Sequence, residues 1–345
     1  MIKRTLYFSN PAYLNLKDRQ LQIDLPHLKT LGTEESIKLV PIEDIGVIIL
    51  DNQQITITHA SIAALLENKV AVITCDKSHH PTGMLLPLDG HDTQSERFRY
   101  QIDASLPLKK QLWQQTVQAK ILNQAAVLFE RGIACENMIH WAKAVRSGDP
   151  DNYEGRAAAY YWRNVFPKKL DFFRGRDGDP PNNLLNYGYA ILRAIVARAL
   201  VSSGLLPTLG IHHRNKYNAY CLADDIMEPY RPFIDKIVLK IIDNGENFLE
   251  LNTAIKSQLL SIASIDVSFE KGTSPLMVGL QYTTASLAKC YEGTIRKINY
   301  PIIKDFDAKR IGYLKSTDDT QISYAAEKTT KYESKKSTDE PELPF

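Results

Sequence analysis

Leu205-Leu206-Pro207-Thr208-Leu209-Gly210-Ile211-His212-His213-Arg214-Asn215-Lys216-Tyr217-Asn218, continuing through Leu222-Ala223-Asp224-Asp225-Ile226-Met227-Glu228-Pro229-Tyr230-Arg231-Pro232, is the stretch on which the architecture turns. It leaves one apolar helix and leads into the next, gathering histidines, carboxylates, cations and amides between them. Upstream, Leu185, Ile191, Ile195, Val196 and Leu200 recur at helical spacing, which predicts a helix over about 182–203 that stops at Gly204, with Pro207 beyond. Downstream, Leu222 to Glu228 reads as a short helix broken by Pro229 and Pro232, after which Phe233, Ile237, Val238, Ile241 and Ile242 resume a helical face.

The same period extends outward. Leu108, Leu112, Val117, Ile121, Ala125 and Leu128 predict a long helix that Gly132 can end through its tolerance of positive φ, and two more helices are expected at 249–262 and 276–292. Toward the N-terminus the period drops to two. Tyr13-Leu14-Asn15-Leu16, Leu21 to Leu25, Val47 to Leu50, Ile55 to Ile57 and Val70 to Ile73 are strand-length runs, and Ser61 to Glu67 is the one helix expected there. The fold class is therefore α+β. A small β-rich domain spans 1–90, a polar linker 91–106, a larger all-α domain 107–304, and a polar tail without apolar period 305–345.

Composition excludes more than it selects. With 42 Lys+Arg against 40 Asp+Glu, the net charge of +2 offers no globally basic field, so a nucleic-acid surface must come from local clustering. Cys75, Cys135, Cys221 and Cys290 form no C-x-x-C pair, which leaves zinc-ribbon, thioredoxin-like and disulfide-framework readings without support and fits a reducing cytoplasm. The N-terminal apolar run is too short for a signal peptide, and no segment approaches about 18 uninterrupted apolar residues, so no membrane span is expected. G-x-x-x-x-G-K-[ST] and G-x-S-x-G motifs are absent, and the ββα frame of an H-N-H nuclease is not predicted around His212-His213. His79-His80 falls in an apparent hairpin loop, as a surface pair.

Four positions can carry chemistry: Asp225, Glu228, His213 and Glu154. Residues three apart on a helix share a face, so Asp225 and Glu228 can point into one cavity while Asp224 is rotated away. His213 lies in the preceding loop. One imidazole with one or two carboxylates suits Mg²⁺ or Mn²⁺, the nitrogen tilting the choice toward Mn²⁺. The ordinary alternative is a solvated face or an ion pair, for which Arg214 and Arg231 are available. Glu154 follows the helix-start residues Asp149, Asp151 and Asn152; it is either a third anchor or a first-turn carboxylate favoured by the helix dipole. Arg156, Arg163, Lys168, Lys169, Arg174 and Arg176 interleave with Trp162, Phe166, Phe172 and Phe173. Such a mixture suits a phosphate backbone with unpaired bases, or equally a charged surface over a packed core.

Leu209-Gly210-Ile211-His212-His213, then Leu222 to Pro232, with Glu154-Gly155-Arg156-Ala157-Ala158 upstream, resemble the CRISPR-associated integrase family, "Cas one", the first of the two universal spacer-acquisition proteins. Leu112-Trp113, Ala119 to Ala125 and Leu185 to Leu192 are similar to its type II branch, the systems built around Cas nine. The resemblance implies a β N-terminal dimerisation domain joined to an α-helical catalytic domain. It implies that Glu154, His213 and Glu228 bind a divalent metal, Mg²⁺ or Mn²⁺, with Asp225 close by. His213 is the candidate because it holds the last position of the Leu-Gly-x-x-His frame, and the role of His212 stays open. The final carboxylate is Glu where many relatives carry Asp.

The implied reaction is transesterification, in which 3′-hydroxyl ends of a prespacer duplex attack the CRISPR leader–repeat junction. Arg156, Lys216, Asn218 and Arg231 are the expected DNA contacts, with Asn215 beside them. The implied assembly is a homodimer pair bridged by a Cas two dimer as a heterohexamer, assisted by Cas nine. A hydrolytic nuclease on branched DNA and a non-catalytic DNA-binding scaffold are the competing readings.

Overall fold

The computed structural model describes residues 3–26, 37–77, 79, 81–175, 178–270, 272–304 and 306. His80, Arg176 and all of the 305–345 tail except Phe306 lie outside them.

Among the described residues, the N-terminal part carries two sheets and the helix His59–Glu67. Strands β1 (Arg4–Phe8), β5 (Ile45–Leu50) and β7 (Ala71–Cys75) pair in parallel, and β8 (Pro81–Leu85) closes that sheet antiparallel in the order β1-β5-β7-β8. A second sheet runs β4-β3-β2-β6, from β2 (Tyr13–Lys17), β3 (Gln20–Asp24), β4 (Ile37–Pro41) and β6 (Thr56–Ile57). Helix α1 (His59–Glu67) crosses between β6 and β7, and its start is capped by the Thr58 hydroxyl accepting from the Ser61 amide.

Strand β5 reads Ile-Gly-Val-Ile-Ile-Leu, an unbroken apolar run, because both its faces are buried. Ile45 and Ile48 face Leu14, Leu21 and Leu65 in a small core between the sheets. Val47 and Ile49 face the other way, into the large core of the helices. The large core therefore draws on residues from both sides of the boundary expected near residue 90. Gly46 sits at this contact, where a Cβ would stand 2.7 Å from the Met277 sulfur and push that side chain aside.

The polar stretch expected to be a linker, 91–106, is instead mostly helix α2 (Gln94–Ile102). It lacks an apolar face because polar groups dock it: Arg97 pairs with Glu292, and Gln101 is buried. Helix α3 (Leu106–Glu130) follows, capped by Ser105, and the chain turns at Gly132 with φ of 69°. Then come α4 (Glu136–Ala144), α5 (Tyr153–Val165), α6 (Asn182–Ser202), α7 (Cys221–Met227), a 3₁₀ turn at Glu228–Tyr230, α8 (Arg231–Asp243), α9 (Thr253–Leu260) and α10 (Leu276–Tyr291). Between α9 and α10 stands an antiparallel hairpin, β9 (Asp266–Phe269) and β10 (Gly272–Pro275), so the C-terminal part is not wholly helical.

Helix α6 is the central post. It is long and apolar enough to cross a membrane by length and composition, but 78% of its most apolar window is buried in the protein. It stops at Gly204, φ 67°, which delivers the chain into the His-bearing loop.

Candidate active site

Each functional side chain is set by a local device. Glu154 sits in the first turn of α5, where Asn152 caps the Gly155 amide and the Asp149 carboxylate accepts from the amides of Tyr153 and Glu154. Those caps fix where the helix begins, and so where Glu154 projects. Glu228 follows α7 directly, in a 3₁₀ turn that Pro229 and Pro232 enforce. Asn123 of α3 donates to the Pro229 carbonyl at 2.7 Å and holds that turn down.

The two glutamates meet on one cation. Lys120 of α3 places its ammonium 2.7 Å from Glu154 Oε1 and 2.6 Å from Glu228 Oε2. Arg231 takes the other Glu228 oxygen, Oε1, at 3.0 Å. Burial alone would push the Glu228 carboxyl up, but Arg231 and Lys120 outweigh it and hold it well below the ordinary range. Burial likewise works against the charged form of Lys120, yet Glu154 and Glu228 raise its pKa and keep it an ammonium.

His213 is presented by Asp225. That carboxylate is fully buried: Oδ2 accepts from the amides of Ile211 at 2.6 Å and His212 at 2.9 Å, while Oδ1 accepts from the His213 amide at 3.3 Å and from His213 Nδ1 at 2.5 Å. Both oxygens are spoken for, so Asp225 shapes the loop and orients the ring. Gly210 allows the loop to close over it, because a Cβ there would lie 2.4 Å from the His213 carbonyl and 2.8 Å from Asp225 Oδ2. With Nδ1 bonded to Asp225, Nε2 is the nitrogen left for a ligand. Burial lowers the His213 pKa, but the Asp225 hydrogen bond and charge, helped by Glu228 and Glu154, make the net shift upward. His212 stacks face to face on Trp113 of α3, ring centroids 4.2 Å apart, which fixes the loop from the other side.

The chain belongs to the Cas1 family. The family described as "CRISPR associated protein Cas1" matches residues 6–249. A CRISPR-associated endonuclease Cas1 from Neisseria meningitidis serogroup C (strain 8013) is 40% identical over 273 residues, covering 79% of this chain and 86% of that protein. A second such protein, from Pyrobaculum aerophilum, is 28% identical over 263 residues, or 72% of this chain and 88% of its own length. Among solved structures, a casposase bound to integration product superposes with a TM-score of 0.72 at 20% identity, covering 92% of this chain and all of that one. A Cas1 protein from Thermotoga maritima gives 0.60 at 15% identity, covering 84% of this chain and 97% of that one.

Within this Cas1 chain the expected site residues separate into those that gather and those that do not. Glu154, Glu228 and Lys120 are in contact, and His213 is close enough for both glutamates to raise its pKa. Asp224 faces elsewhere, toward Arg193 and the Asn218 amide, as its rotation on α7 requires. Arg231, expected on DNA, is largely enclosed: it pairs with Glu228 and its guanidinium stands 4.7 Å from the Tyr189 ring centre, which makes it a partly buried counter-charge. Asn218 is likewise engaged with Asp224, whereas Arg156 and Lys216 are exposed, each beside a tyrosine ring.

The aromatic–cation cluster resolves mostly into packing. Trp162, Phe166 and Phe172 pack on one another, and Arg174 is tied to Asn182 and Asn186; Phe173 alone of those rings is exposed. A groove of about 430 Å³ adjoins His213, lined by Ile102, Lys109, Leu209, Arg214 and Lys216.

The donor set fits a hard divalent cation: two carboxylates already drawn to a single positive charge, and an imidazole whose second nitrogen is oriented by a carboxylate. Among the described residues no three His, Cys, Asp or Glu side chains are closed into ligand geometry, and the Lys120 ammonium fills the space between the two glutamates. Lys120 and Gln101 carry no signal in sequence. A lysine on an apolar helix face reads as a side chain reaching out to solvent, and a glutamine in a polar stretch reads as a connector.

Proposed function

We propose that the protein is a DNA integrase of CRISPR adaptation, joining prespacer 3′-hydroxyl ends to the CRISPR leader–repeat junction by transesterification at Glu154, His213 and Glu228. The observation that carries this reading is the convergence of Glu154 and Glu228, from separate helical segments, on one positive charge beside an oriented imidazole. The endonuclease names of the relatives and the casposase bound to integration product support it.

Glu154, Glu228 and Nε2 of His213 would hold Mg²⁺ or Mn²⁺. When bound, the cation supplies positive charge that lowers the pKa of an attacking hydroxyl and offsets charge on the phosphate oxygens. The protein does the rest by positioning. Asp225 holds the His213 ring, Arg231 keeps Glu228 ionised, and Trp113 pins the loop through His212. Exposed Lys216 and Arg214, with Lys109, line the groove along which a phosphate backbone reaches the site.

Two integrations need two sites, and so an assembly. Dimerisation through the β domain is supported by the outer face of its second sheet, where exposed Tyr13 and Ile37 flank Asp24 in one cross-strand rank and exposed Leu39 stands in the next rank but one. A Cas2 dimer as bridge is supported by a neighbour of the same fold in a Cas6-RT-Cas1–Cas2 complex, TM-score 0.65 at 19% identity. A cytoplasmic location follows from the CRISPR locus as target.

The test is strand joining with 3′-hydroxyl or 3′-blocked prespacers. Joined product from the first and none from the second is expected. Cleavage without joining would favour the hydrolytic nuclease. Replacing Glu154, His213 or Glu228 with Ala is expected to cut joining at least about 100-fold while DNA retention in a gel shift is kept; unchanged joining would leave only a scaffold.

A further inference from the structure

We infer that Lys120 is the resident counter-cation of the site: it holds Glu154 and Glu228 together in the metal-free protein and yields them to an incoming divalent ion. The inference rests on the proposed metal site and adds to it a residue that sets how tightly the ion is held.

The geometry is specific. The Lys120 side chain is 8% exposed and its one nitrogen touches an oxygen of each glutamate, so those two oxygens are separated by no more than the two contacts combined. Two nearly buried carboxylates that close would repel each other and drift apart without a positive charge between them. Lys120 comes from the middle of α3, fixed three residues on by Asn123, which is bonded to the carbonyls of Pro229 and Pro301. The ammonium is therefore delivered to the glutamates by a rigid helix. Its contacts are made with a flexible four-carbon stem, which can withdraw in a way the fork of Arg231 cannot.

Charge balance gives the consequence. Lys120 and Arg231 already neutralise Glu154 and Glu228, so a divalent ion between the same carboxylates would leave the cluster with excess positive charge. Binding must displace Lys120 from at least one of them. The apparent affinity for the ion is then its intrinsic affinity reduced by the strength of the lysine contacts.

The experiment uses the full-length protein, with Mn²⁺ as probe, followed by the electron paramagnetic resonance of free Mn²⁺ and by thermal melting with and without the ion. Lys120→Met is expected to melt lower than wild type without metal, to bind Mn²⁺ about tenfold more tightly or better, and to gain more melting temperature from it. Lys120→Arg keeps the charge on a stiffer fork and is expected to bind Mn²⁺ more weakly than wild type. Should Lys120→Met require Mn²⁺ to fold, that is the same result in stronger form, and the Arg variant still decides. Mn²⁺ binding to wild type that is lost in Glu228→Gln but no tighter in Lys120→Met, or no weaker in Lys120→Arg, overturns the counter-cation and leaves the metal site standing. Absence of Mn²⁺ binding from wild type and both Lys120 variants overturns both.

Discussion

Asp225 shows how much one carboxylate can organise when both its oxygens are taken. It accepts three successive backbone amides and the His213 ring, so it substitutes for the missing hydrogen bonds of a sharp loop and sets a tautomer at once. Asp225→Asn can keep some of the loop contacts but not the acceptor for Nδ1–H along with them. Strand joining by this variant is expected to fall roughly 10- to 100-fold with the fold intact by circular dichroism; wild-type joining would show that His213 needs no such partner.

Another buried carboxylate, Asp235, has its protonation governed by burial. Burial raises the Asp235 carboxyl to about 6, even though hydrogen bonds from Tyr189 and Tyr161 favour its charged form. Because its folded pKa exceeds the exposed value of 3.8, the folded state holds the proton more tightly between the two. This contribution to stability is complete below the lower value and is lost as pH rises through the upper one. Relative to Asp235→Asn, wild type should therefore lose on the order of 2–3 kcal/mol of unfolding free energy from about pH 4 to about pH 7. A difference independent of pH, in urea titrations of both proteins, would contradict the assignment.

At this scale the sequence was legible where chemistry and spacing are local. The three-residue step from Asp225 to Glu228 turned Asp224 away, and Asp224 does pair with Arg193, while Asp225 and Glu228 both act on His213. It was silent where a partner arrives from a distant element, as with Lys120; for Arg231 the i,i+3 pairing with Glu228 was open in the sequence, but its enclosure by Tyr189 of α6 was not.

Among the elements, α2 matters most for being unexpected. Gln101 donates to the carbonyls of Leu206 and Leu209 and accepts the Leu206 amide, so one side chain clamps the start of the His-bearing loop. Gln101→Ala would leave that backbone unsatisfied, at a local cost of about 1–3 kcal/mol. Faster hydrogen exchange at the Leu206 amide and through 206–213 is expected, with global melting little changed; unaltered exchange would mean the loop holds itself. The long helices were readable because α3 and α6 sustain an apolar period over many turns and end at glycines with positive φ. The β9–β10 hairpin was not, since Gly272-Thr273-Ser274-Pro275 carries no alternation and pairs only because β9 lies alongside.

Across the whole molecule, the β sheet and the helices share a core, and one buried ion pair ties residues 205 positions apart. Lys256 of α9 reaches Asp51, at the end of β5, at 2.8 Å, with both side chains almost fully buried. Tyr7 and His79 complete the shell of Asp51. Lys256→Met would strand that charge, costing about 3–5 kcal/mol, whereas changing both partners to apolar residues should recover much of the loss. Urea midpoints of the single and double variants check this; equal midpoints for wild type and the single variant would mean the pair holds nothing. The composition shift near residue 90 suggested two domains because periodicity reports local structure, while the second buried face of β5 reports what packs on it.

In the proposed site Glu154, His213 and Glu228 together hold one divalent cation. The most direct measurement is anomalous scattering from crystals of the protein soaked in Mn²⁺. A single strong peak is expected within ligand distance of both glutamates and of His213 Nε2, with the Lys120 ammonium moved off at least one carboxylate. A peak held by other residues, or none with Lys120 still bridging the two glutamates at saturating Mn²⁺, would contradict it.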